Sequence, residues 1–353
     1  MDFGVGLKAG LNIPFDQQAE LSREAARQGY TSVWVTEGTG WDAFQLCAQR
    51  WAASRQVVPE GLTTGIAVSP VAYRTPVAFA MSAGTLTELT GGRFILGIGS
   101  GDAHRSGGLP SIGPRASTLS MMRDYLITVR ALLAGEVVDY EGETVTLRGV
   151  RLGMDPPPRT PLYIGAMGPE MLRLAGELAD GVAMNWCTPA QIAWSRERIA
   201  EGAARAGRDA ESVKIAQYIS VCVDDDVERA RLALARGLLD AVTEFAAVPR
   251  VPTERQRRLG YRAHFERMGF ADVLTELDRR FERGASRDEL ANAFPDDMLR
   301  KVGYYGPLQG AREAFLTLAK GADTAIAMVI PTQRGLDSVR AAMSACRPGT
   351  ARP

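Results

Sequence analysis

Apolar residues fall along this chain in two alternating rhythms. Short, mostly apolar runs occur at positions 3–8, 32–37, 62–68, 94–99, 161–167, 181–186, 213–223 and 324–330. Runs of this kind fit strands buried on both faces of a parallel sheet. Between most of them lie stretches with apolar residues at helical spacing, at 17–28, 76–89, 118–133, 169–178 and 192–206. Each reads as an amphipathic helix with one face toward a core. Alternation of strand and helix predicts an α/β fold with right-handed crossovers. Eight such units in one chain favour a closed (β/α)8 TIM barrel over an open doubly wound sheet.

Two stretches break the rhythm. Residues 137–152 alternate polar and apolar side chains around Glu141-Gly142-Glu143, which reads as a small hairpin. Pro156-Pro157-Pro158 then stiffens the return, so the inserted piece spans 136–160. Residues 239–305 are mostly helical in pattern and highly charged, an insertion between strands seven and eight. Its arginine-rich part, 250–262, reads first as a solvated helical face, with an anion site as the alternative. The expected organisation is a single barrel over 1–353 carrying these two insertions.

Composition narrows the function. The chain has 353 residues, 46% of them hydrophobic, so a large core is available. Its 41 basic and 41 acidic side chains cancel, leaving no electrostatic footprint for nucleic acid or an anionic membrane. No apolar stretch reaches the ~18 residues a membrane span needs. The N-terminus enters an alternating run at once, without the pattern of a signal peptide, so the expected compartment is the cytoplasm. Cys47, Cys187, Cys222 and Cys346 are scattered without metal-ligand spacing and read as buried thiols.

In such a barrel the chemistry sits at the carboxyl ends of the strands. The segment Thr90–Asp102, TGGRFILGIGSGD, ends strand four with Gly97, Gly99 and Gly101 alternating with Ile98 and Ser100. Glycine weakens a strand, so three of them need a reason. Close approach of a flat or phosphorylated ligand is one reason; crowding inside a barrel is the other, and the residues alone leave both open. Strand five ends at Gly165-Ala166-Met167-Gly168-Pro169. Proline suits the first helical position, and free amides at a helix start form an anion site. An ordinary tight turn is the alternative there.

Titratable candidates are few. The two histidines, His104 and His264, cannot build a His-rich metal site. His264 lies in the insertion and reads as a surface residue. His104 lies near a strand end and is a candidate catalytic or cofactor-contacting group. Phosphate-loop, zinc and Gly-x-Ser-x-Gly motifs are absent. Glycine-lined strand ends with few titratable groups fit chemistry carried by a cofactor.

Five segments carry a resemblance: SVWVTE at 32–37, AVSPVAYRTP at 67–76, TLTELTGGRFILGIGSGD at 85–102, MMRDYLITVRALLAG at 121–135 and PLYIGAMGPEMLRLAGELADG at 161–181. In this order they resemble the bacterial luciferase-like superfamily of barrels. Within it they are similar to the coenzyme F420-dependent reductases of the methylenetetrahydromethanopterin reductase type. The resemblance implies that a flat deazaflavin lies against the backbone of Ala67 and Val68, across a cis peptide. It implies a tail phosphate at the turn of Gly165, Ala166, Met167 and Gly168. Ser100, Gly101 and Asp102 would stand beside the cofactor, and Asn185 and Trp186 would line it. It further implies a homodimer formed near strands two and three, with the apolar faces of 43–51 and 77–86 as candidate surfaces.

Two departures from the family pattern matter. Many relatives read Asp-His after strand two, whereas this chain reads Glu37-Gly38. Relatives that oxidise sugar phosphates carry a lysine just past strand six, where this chain has Thr188. The expected activity is therefore hydride transfer from reduced F420 to a C=N or activated C=C bond of a small organic or natural-product molecule. Glu37 and His104 are the expected proton donors, and Asp102 positions the cofactor. The alternative is an FMN-dependent luciferase-like monooxygenase. A non-catalytic barrel that carries cofactor is the reading from another class.

Overall fold

The eight apolar runs become the staves of a closed barrel. The computed structural model describes residues 1–7, 13–101, 117–242 and 260–349. From the N-terminus its strands are β1 (Asp2–Gly6), β2 (Ser32–Val35), β3 (Thr63–Pro70), β4 (Phe94–Gly99), β5 (Val138–Glu141) and β6 (Thr146–Val150). They continue as β7 (Leu162–Gly165), β8 (Gly181–Asn185), β9 (Lys214–Val223), β10 (Gly303–Gly306) and β11 (Thr324–Val329). Strands β1, β2, β3, β4, β7, β8, β9 and β11 pair in parallel in that order. The ring closes where Asp2 faces Thr324, between β1 and β11.

The barrel helices are α1 (Phe15–Arg27), α2 (Ala43–Ser54), α3 (Pro76–Leu89), α4 (Thr118–Leu133), α5 (Pro169–Leu178) and α6 (Pro189–Arg205). Asp42, Thr75, Ser117 and Thr188 cap four of them by accepting a backbone N–H of the first turn. Each such cap contributes about 1 kcal/mol. The hairpin β5–β6 is pinned to α4 by the buried Asp124 carboxylate. It accepts from the Tyr140 hydroxyl and from the Thr144 backbone and side chain, all at 2.7 Å.

Large rings fill the barrel interior, and small residues make room for them. A Cβ on Gly4 would stand 2.7 Å from the Trp34 ring, and one on Gly65 would overlap it. A Cβ on Gly181 would overlap Tyr163, and one on Gly6 would stand 2.8 Å from Tyr218. Trp34 and Tyr163 lie 6.3 Å apart between centroids, a favourable tilted pair.

After β9 the chain builds a helical cap from α7 (Val227–Val242), α8 (Gly260–Arg267), α9 (Ala271–Glu282), α10 (Arg287–Asn292) and α11 (Asp296–Val302). Leu234, Leu238, Phe265, Leu274, Phe294 and Tyr305 form its own core. That core also takes in Trp186 and Cys222 from the upper ends of strands six and seven. The cap therefore roofs one side of the barrel mouth, and it begins at α7, ahead of residue 239. β10 lies within the stretch read as helical. β9 outgrows β8, whose pairing stops where Asn185 faces Tyr218. The free upper edge, Ser220–Val223, is taken by Gly303–Gly306 instead, because an unpaired buried edge is costly. Helices α12 (Leu308–Leu318) and α13 (Asp337–Cys346) complete the outer wall.

Further expectations are tested by this packing. All four cysteines are free and buried. No described helix is long and apolar enough to cross a membrane. The apolar faces read as a pairing surface are a correction. Phe44, Leu46, Cys47, Phe79, Ala80 and Ala83 serve the chain's own core, because α2 and α3 need their apolar stripes to pack on the barrel. The large apolar groups left exposed in this region are Trp41, Met81 and Leu89.

Candidate active site

A bulge in β3 shapes the mouth. Ile66 pairs with Leu96 and pairing resumes with Ser69 opposite Ile98, so β3 carries one extra residue across Ala67–Val68. The peptide between these two is cis, as the resemblance implied. The neighbouring strands yield to the bulge. A Cβ on Gly97 would overlap the Ile66 carbonyl oxygen, and one on Gly99 would overlap the Val68 side chain. One on Gly165 would stand 3.4 Å from the same isopropyl group. The alternation of glycines in β4 thus answers to crowding, the second of the two readings. Strand two grips the bulge from its other side: the Thr36 hydroxyl donates to Ala67 O at 3.2 Å and the Glu37 N–H to Val68 O at 3.3 Å.

Glu37 is not a free acid at the mouth. Its Oε1 accepts from Ala43 N at 3.2 Å and from Arg74 Nη2 at 2.8 Å. Its Oε2 accepts from Arg74 Nη1 at 2.5 Å and from the Ser69 hydroxyl. Arg74 also bonds Asp42 at 2.5 Å and lies 4.8 Å above the Phe44 ring. A buried carboxylate with donors on both oxygens is an anchor, and the proton-donor role expected of Glu37 does not fit this geometry. Asp102 and His104 lie outside the described residues. Ser100 and Gly101 are half-buried at the end of β4. Gly101 takes φ 59°, where a Cβ would stand 2.8 Å from Pro70, so glycine is required there.

The strand-five turn presents Gly165 to the lumen, while the Ala166 methyl enters the outer core. Met167 and Gly168 are half-buried. Gly168 caps α5 without a side-chain acceptor, which leaves first-turn amides of α5 for another partner. Arg267, from α8 of the cap, donates to Met167 O at 2.8 Å.

At strand six the structure separates two residues that the resemblance grouped. Asn185 has the strand parity of Ala183, which lines the lumen, and its Oδ1 is buried with no hydrogen-bond partner. Trp186 turns the other way, and its ring is buried in the helical cap, so it does not line the mouth. Trp186 sits at φ 56°, a left-handed conformation that costs a non-glycine residue about 1–2 kcal/mol. Three bonds hold this terminus. His264 donates Nε2–H to Trp186 O at 2.9 Å, Gln217 donates to Cys187 O at 2.9 Å, and the Cys187 thiol donates to Asn185 O at 3.3 Å.

His264 corrects a second expectation. It is 1% exposed, inside the cap core rather than on the surface. Burial lowers its pKa from 6.5 to about 4. A base depressed in the folded state is protonated first in the unfolded chain, so stability is lost as pH falls through this window. Acidification from pH 6.5 to 4 should lower the melting temperature of the wild type more than that of His264→Gln, measured by thermal unfolding at fixed ionic strength. Identical pH profiles would refute the neutral buried imidazole.

Arg50 escaped the sequence reading. It is 1% exposed and donates to Leu7 O at 3.0 Å, Gln18 Oε1 at 2.9 Å and Trp34 O at 3.4 Å, tying the ends of β1 and β2 to α1. No carboxylate among the described residues pairs with it, and burial pulls it down to about 10. Its signal was present: an arginine one turn after Cys47, on the apolar stripe of α2. Tyr218 went unread in the sequence as well. Its side chain comes from β9, is 3% exposed and packs against Gly6 inside the barrel.

The mouth is thus lined by small residues, one isopropyl group and an unsatisfied amide, with the cap over strands six and seven. A family model described as luciferase-like monooxygenase matches residues 1–325. The chain belongs to this family. A 5,10-methylenetetrahydromethanopterin reductase of Archaeoglobus fulgidus is 33% identical over 65% of this luciferase-like chain and 68% of its own length. A Mycobacterium tuberculosis protein named provisionally as a coenzyme F420-dependent oxidoreductase is 29% identical over 95% of this chain and 97% of its own. The solved coenzyme F420-dependent tetrahydromethanopterin reductase of Methanopyrus kandleri superposes with a TM-score of 0.76 at 22% identity, covering 98% of this chain and 97% of that one. The luciferase-like enzyme is accordingly an oxidoreductase on a TIM barrel. Among the described residues no three metal-ligating side chains gather.

Proposed function

We propose that this luciferase-like oxidoreductase binds coenzyme F420 and reduces a C=N or activated C=C bond in a small organic or natural-product molecule. The observation that carries the reading is the Val68 bulge facing Gly99 and Gly165, with the unpartnered Asn185 Oδ1 on the lumen face of strand six. A flat ring system bearing an N–H donor fits a mouth of small residues that offers a free acceptor. The uncapped start of α5, at Gly168, suits the phosphate of the cofactor tail. Bound reduced deazaflavin supplies a hydride equivalent.

The chain's own part is placement and a proton. Holding two reactants in near-attack geometry is worth ~7–11 kcal/mol, and a general acid adds ~10²–10⁴-fold. With Glu37 committed to Arg74, His104 is the proton donor in this reading and Asp102 the positioning group. Two relatives named for F420, a provisionally named F420-dependent oxidoreductase and an F420-dependent glucose-6-phosphate dehydrogenase, support this cofactor. The reading includes a cytoplasmic homodimer, which a mass measurement at micromolar concentration tests.

Titration of the purified protein with each cofactor should show F420 bound at least tenfold more tightly than flavin mononucleotide. His104→Ala should lower turnover at least tenfold at unchanged cofactor affinity. Tighter binding of flavin mononucleotide, accompanied by flavin-dependent oxygen consumption, would overturn the reading in favour of a monooxygenase.

A further inference from the structure

Helix α8 reaches the two loops that the proposed cofactor site uses, and it does so with one side chain for each. His264 donates to Trp186 O at strand six, and Arg267 donates to Met167 O at the strand-five turn. The two residues are three apart, so they lie on the same face of α8. Arg267 is further held by the Trp194 ring of α6, 5.4 Å from its guanidinium carbon. Both acceptors are backbone carbonyls, so the bonds act on chain path rather than on a side chain that could swing away.

The strand-six end needs such a hold. Trp186 is the non-glycine residue with positive φ among the described residues. A left-handed tryptophan persists only where its surroundings over-determine it. Here the cap supplies two constraints: it buries the indole, and His264 fixes the carbonyl. The residue before it is Asn185, so a change of path at Trp186 acts on the strand end that carries the unpartnered Oδ1. The strand-five turn has no side-chain cap of its own at Gly168, and Arg267 fixes the residue before it.

We propose that His264 and Arg267 are positioning residues, through which the helical cap sets the geometry of both cofactor loops and thereby the affinity for cofactor. The inference rests on the proposed cofactor site and concerns residues of the cap that bond the backbone of its two loops. A preorganised site binds more tightly because less ordering is left to the binding step. The cap is then an affinity element, and sequence changes within it tune the site without altering its lining.

The test uses the full-length protein, four variants of these two residues and one control. His264→Phe and Arg267→Met remove the donors and keep the bulk; His264→Gln and Arg267→Lys restore a donor. Leu290→Ala, in the cap core but on α10, controls for general loosening of the cap. F420 affinity is read by titration, and backbone exchange at 165–168 and 185–188 is read by hydrogen–deuterium exchange in cofactor-free protein. His264→Phe and Arg267→Met should each weaken F420 binding at least fivefold and raise exchange at their own loop. The Gln and Lys variants should recover most of both effects, and Leu290→Ala should show neither at these loops. Wild-type affinity and exchange in both donor-free variants would overturn the proposal. So would an equal loss in Leu290→Ala. If the wild type binds neither F420 nor flavin mononucleotide, the cofactor reading fails, and the exchange measurement alone decides whether α8 sets the loops.

Discussion

Gly97→Ala should lower the stability of this protein by about 3 kcal/mol or more, the upper end of overpacking costs. The added methyl would overlap the Ile66 carbonyl oxygen, a backbone atom fixed by the β3 bulge. Neither partner can rotate away, so β3 and β4 must separate. The usual gain from Gly→Ala through the unfolded chain, about 0.4–1 kcal/mol, is too small to compensate. Gly99→Ala makes the sharper comparison. Its methyl would meet the Val68 side chain, not backbone. Val68 can shift, so the stability loss should be smaller while the floor of the mouth changes shape. Equilibrium denaturation of both variants, beside cofactor titration, checks this. A Gly97→Ala protein as stable as the wild type would mean that the bulge does not press on β4.

The second large effect is expected at Arg74. Arg74→Met keeps an apolar stem against Phe44 but strands the Glu37 carboxylate, whose side chain is 3% exposed. Removing one partner of a buried ion pair costs about 3–5 kcal/mol, because the remaining charge is neither solvated nor neutralised. Glu37→Gln in the same background should recover part of the loss, and a double-mutant cycle measures the coupling. Glu37→Gln alone separates an anchor from a proton donor. Turnover close to wild type at saturating cofactor and substrate is expected of an anchor. A collapse of turnover with stability retained would restore Glu37 as the proton donor.

Much of the architecture was legible because it is written in local patterns. All eight barrel runs are strands, and the polar–apolar alternation around Gly142 is a hairpin. β10 was not legible, since Gly303–Gly306 is a strand only because β9 outgrows β8 and leaves an edge to fill. His264 was misread for a similar reason. A charged, arginine-rich neighbourhood suggests a surface, while the Phe265 ring 5.5 Å from the imidazole and its bond to Trp186 O are facts of the folded cap. Asn185 and Trp186 adjoin at the end of β8, and strand alternation sends one side chain toward the lumen and the other outward into the cap.

By itself the sequence determined the barrel, the place of its mouth and the family, since burial periodicity and strand-end motifs are properties of short segments. Only the tertiary structure decided which polar groups are occupied. Glu37 stood out as an acid until Arg74, thirty-seven positions away, was seen to hold it. Asn185 stood as one contact among several until its oxygen proved to be without a partner. The glycines of β4 stayed ambiguous until the Ile66 carbonyl and Val68 were found against them. Hydrogen bonds and close contacts act over a few ångströms between residues distant in the chain, so the pairing that commits or frees a side chain exists only once the fold has brought its partner into reach.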